Sequence, residues 1–181
     1  MKKILLPVLI IVGSIAGCAT FPKDDIKVDA ATDAKANMVG YKAYGWLSTI
    51  GVINDQDGLW EPPQFDADSE LKYQINAALR KRGLTETRNN PDLLVTFALG
   101  ADMAALKLKV DPKTKISSLE NVPQAGIVVA LIDAQSGFVV WAGVATGEIR
   151  NLDTKTARER LDYVVQAMFD KLPESLNVAP N

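Results

Sequence analysis

The chain has 181 residues, with 20 basic and 22 acidic side chains, a single cysteine and no histidine. The absence of histidine excludes Ser-His-Asp and Cys-His catalytic arrangements and the usual zinc sites. A net charge of −2 argues against a nucleic-acid-binding protein, because such a protein needs a basic face to displace counterions from phosphate.

The N-terminus has the organisation of a secretory signal peptide. Lys2 and Lys3 precede the apolar residues 4–12, and small residues follow up to Cys18. The apolar run is shorter than the roughly 20 residues that a membrane-spanning helix needs. We therefore expect residues 1–17 to be a signal peptide. The alternative is an uncleaved anchor with an unmodified cysteine at its edge.

The sequence Ile15-Ala16-Gly17-Cys18 resembles the bacterial lipobox. The resemblance implies that the thiol of Cys18 is acylated and that this cysteine becomes the first residue of the mature protein. Two or three acyl chains hold a protein on a bilayer far better than one. In bacterial lipoproteins an aspartate after the cysteine usually means retention at the inner membrane. The residue here is Ala19, which implies the outer membrane, facing the periplasm.

Composition divides the remaining chain into a tether, a domain and a tail. Residues 18–37 are polar and small without clear periodicity, so we expect the lipidated cysteine and a flexible tether there. Residues 38–175 are enough for one domain with its own core, and residues 176–181 form a C-terminal tail. Without Lys2 and Lys3 the mature chain has 18 basic and 22 acidic residues, a net charge of −4.

The first half of the domain is predicted to contain a strand, a loop and a helix. Residues 37–48 alternate in the manner of a strand, whereas Gly, Asn, Asp and Pro make residues 51–65 a loop. A helix is predicted to begin near Asp66 or Asp68 and to end before Gly83. Its apolar stripe consists of Leu71, Ile75, Ala78 and Leu79.

Several strands are predicted to follow. Residues 84–88 form a short strand, and residues 92–110 contain strand segments with a bulge or bend at Gly100. Alternating lysines near the end of that segment are typical of a protected sheet edge. A loop over residues 111–124 comes next.

The last part of the chain is predicted to form a hairpin and a helix. Residues 126–133 and 138–149 are apolar on both faces, so they are predicted to be central strands. The last helix spans residues 154–172 and is capped by Asp153 or Thr156. The close turns between strands favour an α+β fold: a two-layer sandwich of a mostly antiparallel sheet with two amphipathic helices packed on one face. The buried stripe of the last helix consists of Ala157, Leu161, Val164, Met168 and Leu172.

Three polar clusters have both a functional and a structural interpretation. Asp55 and Asp57 fit two positions of a calcium loop, but the first and twelfth positions lack acidic ligands, which favours a polar turn. One interpretation of the basic residues 80–82 is that they bind anionic headgroups. The interpretation that we favour is that they compensate the dipole at the C-terminal end of the helix. Asp133 is either catalytic or, as we favour, an acceptor for the amides of the hairpin turn. The sequence predicts no catalytic residue, no metal site and no cofactor.

Two tryptophans differ in their predicted surroundings. Trp141 lies in a central strand and is expected in the core. Trp60 lies in a long polar loop, where a tryptophan with no evident core to join is a candidate contact surface. The alternative is that Trp60 folds back over the sheet.

Four fragments resemble a family of Gram-negative envelope lipoproteins of unknown function. They are residues 41–46 (YKAYGW), 91–95 (PDLLV), 126–143 (GIVVALIDAQSGFVVWAG) and the end of the last helix at 171–173 (KLP). The resemblance covers about residues 39–173 and implies a lipid-anchored α+β domain, with no catalytic residues to carry over. The family often has an arginine between the tryptophan and the glycine. This chain has Ala142 there, so any role of that arginine is absent.

These observations favour a non-catalytic binding or accessory lipoprotein of the cell envelope, held to the membrane by its N-terminal lipid. Its partner is expected to be another envelope protein or a lipid, and not a nucleic acid. One alternative is a structural or stress-related envelope component without a ligand site. The other is a carboxylate-based envelope hydrolase, which requires two carboxylates roughly 5–10 Å apart across a cleft.

Overall fold

The structure, a computed structural model, describes residues 21–34, 36, 38, 40–110, 112–113 and 117–173. The predicted signal peptide, Cys18 and the predicted tail lie outside the described residues. The elements in chain order are β1 Lys27–Thr32, β2 Ala43–Trp46, β3 Ile50–Asn54, α1 Ala67–Lys81, β4 Thr85–Glu86, β5 Leu93–Asp102, β6 Leu106–Val110, β7 Ser117–Asn121, β8 Gln124–Asp133, β9 Val139–Glu148 and α2 Thr154–Phe169.

Helix α1 has the boundaries that its sequence predicts. The carboxylate of Asp66 caps the helix by accepting a hydrogen bond from a first-turn amide at 3.0 Å. Gly83 ends it with a φ of 78° and donates its N–H to the Arg80 carbonyl. The N–H of Leu84 donates to the Leu79 carbonyl at 3.1 Å. This pair of bonds is a Schellman motif, which needs the left-handed conformation that glycine adopts most readily.

Helix α2 is capped by Asp153, one of the two predicted caps. Its carboxylate accepts hydrogen bonds from the amide of Thr156 at 3.0 Å and from the hydroxyl of Thr156 at 2.6 Å. The helix ends at Phe169, before the predicted end at residue 172. Leu172 nevertheless reaches the core, because its amide donates to the Phe169 carbonyl and turns the chain back.

The main sheet is mixed and open, with the order β1-β9-β8-β5-β2-β4 and with β3 beside β5. The long pairings of β1 with β9, β9 with β8 and β8 with β5 are antiparallel. β2 and β3 follow one another along one edge of β5 and run parallel to it. β6 and β7 form a separate two-stranded ribbon. The predicted α+β fold and the central hairpin are confirmed.

Three strands occupy segments that the sequence assigns to a tether or to loops. β1 lies within the predicted tether of residues 18–37, so the domain begins earlier than residue 38. β3 replaces the start of the loop predicted over residues 51–65, and β7 lies in the loop predicted over 111–124. All the side chains of β3 are exposed, so no apolar alternation marks this strand. In β1 only Val28 and Ala30 are half-buried against the core, and this alternation is too short to stand out from the polar segment around it.

The predicted bulge or bend at Gly100 does not take the form of a bulge. Gly100 pairs with Gly126 in a ladder between β5 and β8 that keeps one register from end to end. Two glycines therefore face each other across an uninterrupted pairing. The irregularity in the sheet lies instead in β9, beside Leu131 and Ile132 of β8.

One core lies between the two helices and one face of the sheet. The opposite face is left partly open, with Val128 and Val144 exposed, although β8 and β9 are central strands as predicted. The predicted stripe of α1 is confirmed, since three of its residues are fully buried. The largest fully buried side chains are Trp141, Tyr44, Phe169, Leu71, Ile75, Leu79, Leu84, Leu93, Leu131, Met168 and Leu172.

Trp141 lies in this core, as predicted, and its ring crosses the strand over Gly143. A Cβ at position 143 would be 2.6 Å from the Trp141 ring and 3.2 Å from the Cβ of Met168. The ring also contacts Phe169, with ring centroids 5.2 Å apart. The Trp-x-Gly spacing is therefore a packing requirement, because any side chain at position 143 overlaps the tryptophan.

The substitution Gly143→Ala is expected to lower the free energy of unfolding by about 2 kcal/mol, because overpacking a filled core costs roughly 1–3 kcal/mol. The matched control is Gly126→Ala in β8, where the nearest heavy atom to an added Cβ is 3.7 Å away. Urea unfolding followed by circular dichroism measures both variants. Equal stability of the two would contradict the packing explanation.

Candidate functional site

Three of the fragments that carry the family resemblance meet at one end of the sheet. The carboxylate of Asp92 accepts hydrogen bonds from the amides of residues 42–43 at 2.8 and 2.9 Å. The carbonyl of Asp92 accepts one from the Ala134 amide at 3.0 Å. The hydroxyl of Tyr41 donates to the carboxylate of Asp133 at 2.8 Å. These bonds join the start of β2 to the start of β5 and to the turn between β8 and β9.

Asp133 has a structural role in the hairpin turn, as the favoured interpretation of the sequence holds. Its carboxylate accepts hydrogen bonds from the amides of Gln135 at 3.1 Å and Ser136 at 2.6 Å. The bonds from Ser136 and Tyr41 hold the pKa of Asp133 below its ordinary value. Burial and the bond to Asp133 raise the pKa of Tyr41 to about 12. At neutral pH Asp133 is therefore an ionised acceptor and Tyr41 a protonated donor.

An open cleft of about 590 Å³ lies beside this junction. Asp33 and Asp133 both line it, together with Tyr41 and the exposed ring of Phe138. Two carboxylates in one cleft are what the hydrolase alternative requires. The general acid of such a pair needs a raised pKa, whereas the pKa of Asp133 is lowered.

Trp60, the predicted contact residue, is half-buried in the loop between β3 and α1. The two carboxylate oxygens of Asp55 accept hydrogen bonds from the amides of Leu59 at 2.9 Å and Trp60 at 2.8 Å. Asp55 therefore closes a polar turn, which agrees with the favoured interpretation of this segment. In the part of the chain that the structure describes, no group of three or more Asp, Glu or Cys side chains is arranged to hold a metal ion.

β3 is an edge strand made of exposed apolar residues. Ile50, Val52 and Ile53 are all more than half exposed, and among the described residues β3 pairs only with β5. Proteins usually protect such an edge with lysines, prolines or bulges, because unpaired backbone groups are a template for another strand. The segment Ile50–Asn54 contains no charged residue and no proline. Its outer edge is suited to pair with a strand of another protein.

A buried ion pair fastens the N-terminal segment to the opposite end of the sheet. The side chain of Asp25 is 1% exposed, and Arg160 of α2 donates to its two carboxylate oxygens at 3.0 and 2.7 Å. Arg160 also donates to the carbonyl of Pro22. The Glu148 amide donates to Asp25 at 2.8 Å, and the guanidinium of Arg150 lies 3.2 Å away. We call these five residues the N-terminal clamp.

The clamp holds Asp25 in its ionised form. Burial opposes ionisation, but the hydrogen bonds from Arg160 and from the Glu148 amide, with the charge of Arg160, outweigh it and lower the pKa of Asp25 to about 2. A bidentate pair between a guanidinium and a carboxylate is among the stronger hydrogen-bonded contacts in proteins. The segment before β1 is therefore attached to α2 and β9 by more than the backbone pairing of β1.

Sequence reasoning missed the clamp, although one signal for it was present. Arg160 comes three residues after Ala157 and four before Val164, so it lies on the apolar stripe of α2. A charge at such a position is buried only if it is paired. Nothing in the sequence identifies Asp25 as the partner, because it lies in a polar segment without periodicity.

The basic residues 80–82 belong to the end of α1, as the favoured interpretation holds. Arg80 and Lys81 are exposed in its last turn, and Arg82 donates to the carbonyl of Phe169, which joins the C-terminal ends of the two helices. The described residues contain two helices, α1 and α2, and neither is long and apolar enough to cross a membrane.

Replacing Arg160 by methionine is expected to lower the free energy of unfolding by about 3 kcal/mol, since removing one partner of a buried ion pair costs roughly 3–5 kcal/mol and Arg150 remains near Asp25. Arg158→Met is the matched control on the same helix, because Arg158 forms an exposed pair with Glu70 at 3.4 Å. That change should cost less than about 1 kcal/mol. Similar losses in the two variants, measured by urea unfolding, would rule out a special role for the clamp.

The lowered pKa of Asp25 predicts that the free energy of unfolding depends on pH. Its folded pKa of about 2 lies below the ordinary value of 3.8, so the unfolded chain binds the proton more tightly. The contribution is complete above about pH 5 and is lost as the pH falls from about 4 through 2. The stability difference between the native protein and Asp25→Asn should shrink over that interval. A difference that stays constant down to pH 2 would contradict the assignment.

Comparisons with known proteins give a family and a shared fold. The model of a domain of unknown function, DUF4136, matches residues 28–174, a range that includes most of β1. The chain is similar to the crystal structure of a DUF4136 family protein from Bacteroides thetaiotaomicron, with 14% identity, a TM-score of 0.55 and coverage of 84% of this chain and 98% of that one. No curated protein matches the chain.

Two other solved structures are less similar. A PDZ domain protein from Parabacteroides distasonis has 12% identity and a TM-score of 0.51 over 82% of this chain, which spans only 37% of that protein. A minor lipoprotein from Acinetobacter baumannii has 10% identity and a TM-score of 0.36 over 73% of this chain and 92% of that one. At such identities the likeness concerns the fold alone. Since the family model covers nearly the whole described domain, the chain belongs to the DUF4136 family, whose domain has no known function.

Proposed function

We propose that this protein is a lipoprotein anchored through Cys18 in the outer membrane and facing the periplasm. In this proposal it is a non-catalytic accessory protein that binds another envelope protein. The observation that carries the proposal is the N-terminal clamp, which begins at Pro22, four residues after Cys18. The buried ion pair, with β1 alongside, attaches the end of the described chain nearest Cys18 to the core, so a lipid at that cysteine would hold the folded domain close to the membrane.

The β3 edge supports a binding role. An exposed strand of apolar residues with an unprotected edge is an aggregation hazard, so its presence favours a use for it. Strand addition gives affinity through main-chain hydrogen bonds and specificity through alternate side chains. The partner we propose is therefore an envelope protein that contributes an extended apolar segment beside Ile50–Asn54.

A carboxylate-based hydrolase is the second candidate, because Asp33 and Asp133 line one cleft. The bonds that Asp133 accepts from its own turn and from Tyr41 favour a structural role for this carboxylate. Release of soluble fragments from peptidoglycan by the purified protein, lost in Asp33→Asn, would support the hydrolase instead.

The binding proposal predicts a specific cross-link at β3 in living cells. A photoreactive residue at Ile50 of the full-length protein should give one reproducible adduct with an envelope protein. Adding Val52→Lys should abolish this adduct, because a charge on the edge strand disfavours strand addition. A probe at Tyr73, exposed on α1, is the matched control, and a probe at Trp60 tests the neighbouring loop.

The outcomes separate the two parts of the proposal. An adduct at Ile50 that Val52→Lys leaves unchanged, or that Tyr73 gives equally, would overturn binding at the β3 edge. The anchor is tested independently by the mass of the N-terminal peptide. An acylated Cys18 is expected, and a peptide with a free thiol would overturn the lipoprotein assignment.

A further inference from the structure

The N-terminal clamp restricts how far the domain can lie from the membrane. This step rests on the proposed acylation of Cys18. Only residues 19–21 separate that cysteine from Pro22, and four residue steps span at most about 14 Å when fully extended. The predicted tether of residues 18–37 would have held the domain farther away. Because the clamp holds Pro22 at the end of the sheet that carries Asp25, this end faces the bilayer.

Several other segments reach the same end of the sheet. Glu148, whose amide donates to Asp25, pairs with Gln124 of β8. Gln124 in turn pairs with Asp102, the last residue of β5. The ribbon of β6 and β7 lies between Asp102 and Gln124 in the chain. Asn54, the last residue of β3, pairs with Asp102, so the loop that contains Leu59 also starts here.

These segments expose large apolar side chains. Leu106 and Leu119 of the ribbon are each 67% exposed, and Leu59 is 63% exposed beside the half-buried Trp60. Large apolar side chains exposed in segments that reach one end of a sheet favour a contact surface there.

We propose that this end, formed by Leu59, Leu106 and Leu119, contacts the phospholipid bilayer that holds the acylated Cys18. The leucines enter the interface between headgroups and acyl chains, and Trp60 lies at the level where tryptophans are enriched in membrane proteins. The clamp thereby sets the orientation of the domain as well as its distance. The turn between β8 and β9 lies at the opposite end of the sheet and points to the periplasm, as does the cleft beside it.

The orientation is tested on the full-length acylated protein in vesicles of phosphatidylethanolamine and phosphatidylglycerol. An environment-sensitive fluorophore is attached at Leu119→Cys and, in separate variants, at Leu106→Cys and Phe138→Cys. Phe138 is the matched control, because it is 71% exposed and follows the turn at the opposite end of the sheet. The label at positions 106 and 119 should shift its emission to the blue and lose intensity when lipids with brominated acyl chains are included. The label at position 138 should show neither change.

The same experiment distinguishes failure of this inference from failure of the anchor. The parent protein, in which Cys18 is the only cysteine, should take up no label, because acylation consumes its thiol. Labelling of the parent would overturn the anchor and, with it, the basis of the orientation. An unlabelled parent with no quenching at positions 106 and 119, or with equal quenching at 138, would overturn the orientation alone.

Discussion

The buried pair of Asp25 and Arg160 determines where this domain begins. Taking both charges out of water is costly, and the cost is offset because the carboxylate gains two bonds from Arg160 and one from the Glu148 amide. An added side chain at Gly147 would come within 3.2 Å of the carboxylate, so the backbone of β9 passes close to the pair. The segment from Pro22 through β1 is therefore part of the folded unit.

At the opposite end of the sheet, hydrogen bonds to two carboxylates join the strands, and among the described residues no buried ion pair is involved in them. Asp92 and Asp133 each accept several backbone bonds, and together they hold β2, β5 and the β8–β9 turn in register. These hydrogen bonds and the packing of Trp141 over Gly143 lie in the fragments that resemble the family, so those fragments are the ones that build the fold. A family resemblance made of such residues carries little information about activity. The exposed edge of β3 and the apolar end near the clamp are better places to look for function.

Sequence patterns predicted the elements in which buried and exposed side chains follow a regular spacing, because that spacing appears in the sequence as a periodicity of apolar residues. Helix α1, helix α2 and the β8–β9 hairpin have strong periodicity or turn signals, and Trp141 has the apolar neighbours of a core residue. β3 lacks that signal, because it is held mainly by backbone pairing at a sheet edge and its side chains are exposed. β1 shows the signal only over Val28 and Ala30, which pack against the core. The parallel pairing beside β5 and the partner of Arg160 are long-range contacts, which local spacing does not specify. Trp60 lies in a loop, as predicted, but its half-buried state is not specified by local spacing.

The most direct test of this account is the hydrogen exchange of the β1 amides, residues 27–32, in the full-length protein. If the clamp makes this segment part of the domain, the alternate amides of β1 that donate to β9 should be protected and should exchange with the cooperative unit that contains β9. Exchange as fast as in an unstructured peptide would mean that the segment is a flexible tether, and the clamp would not hold the domain at the membrane.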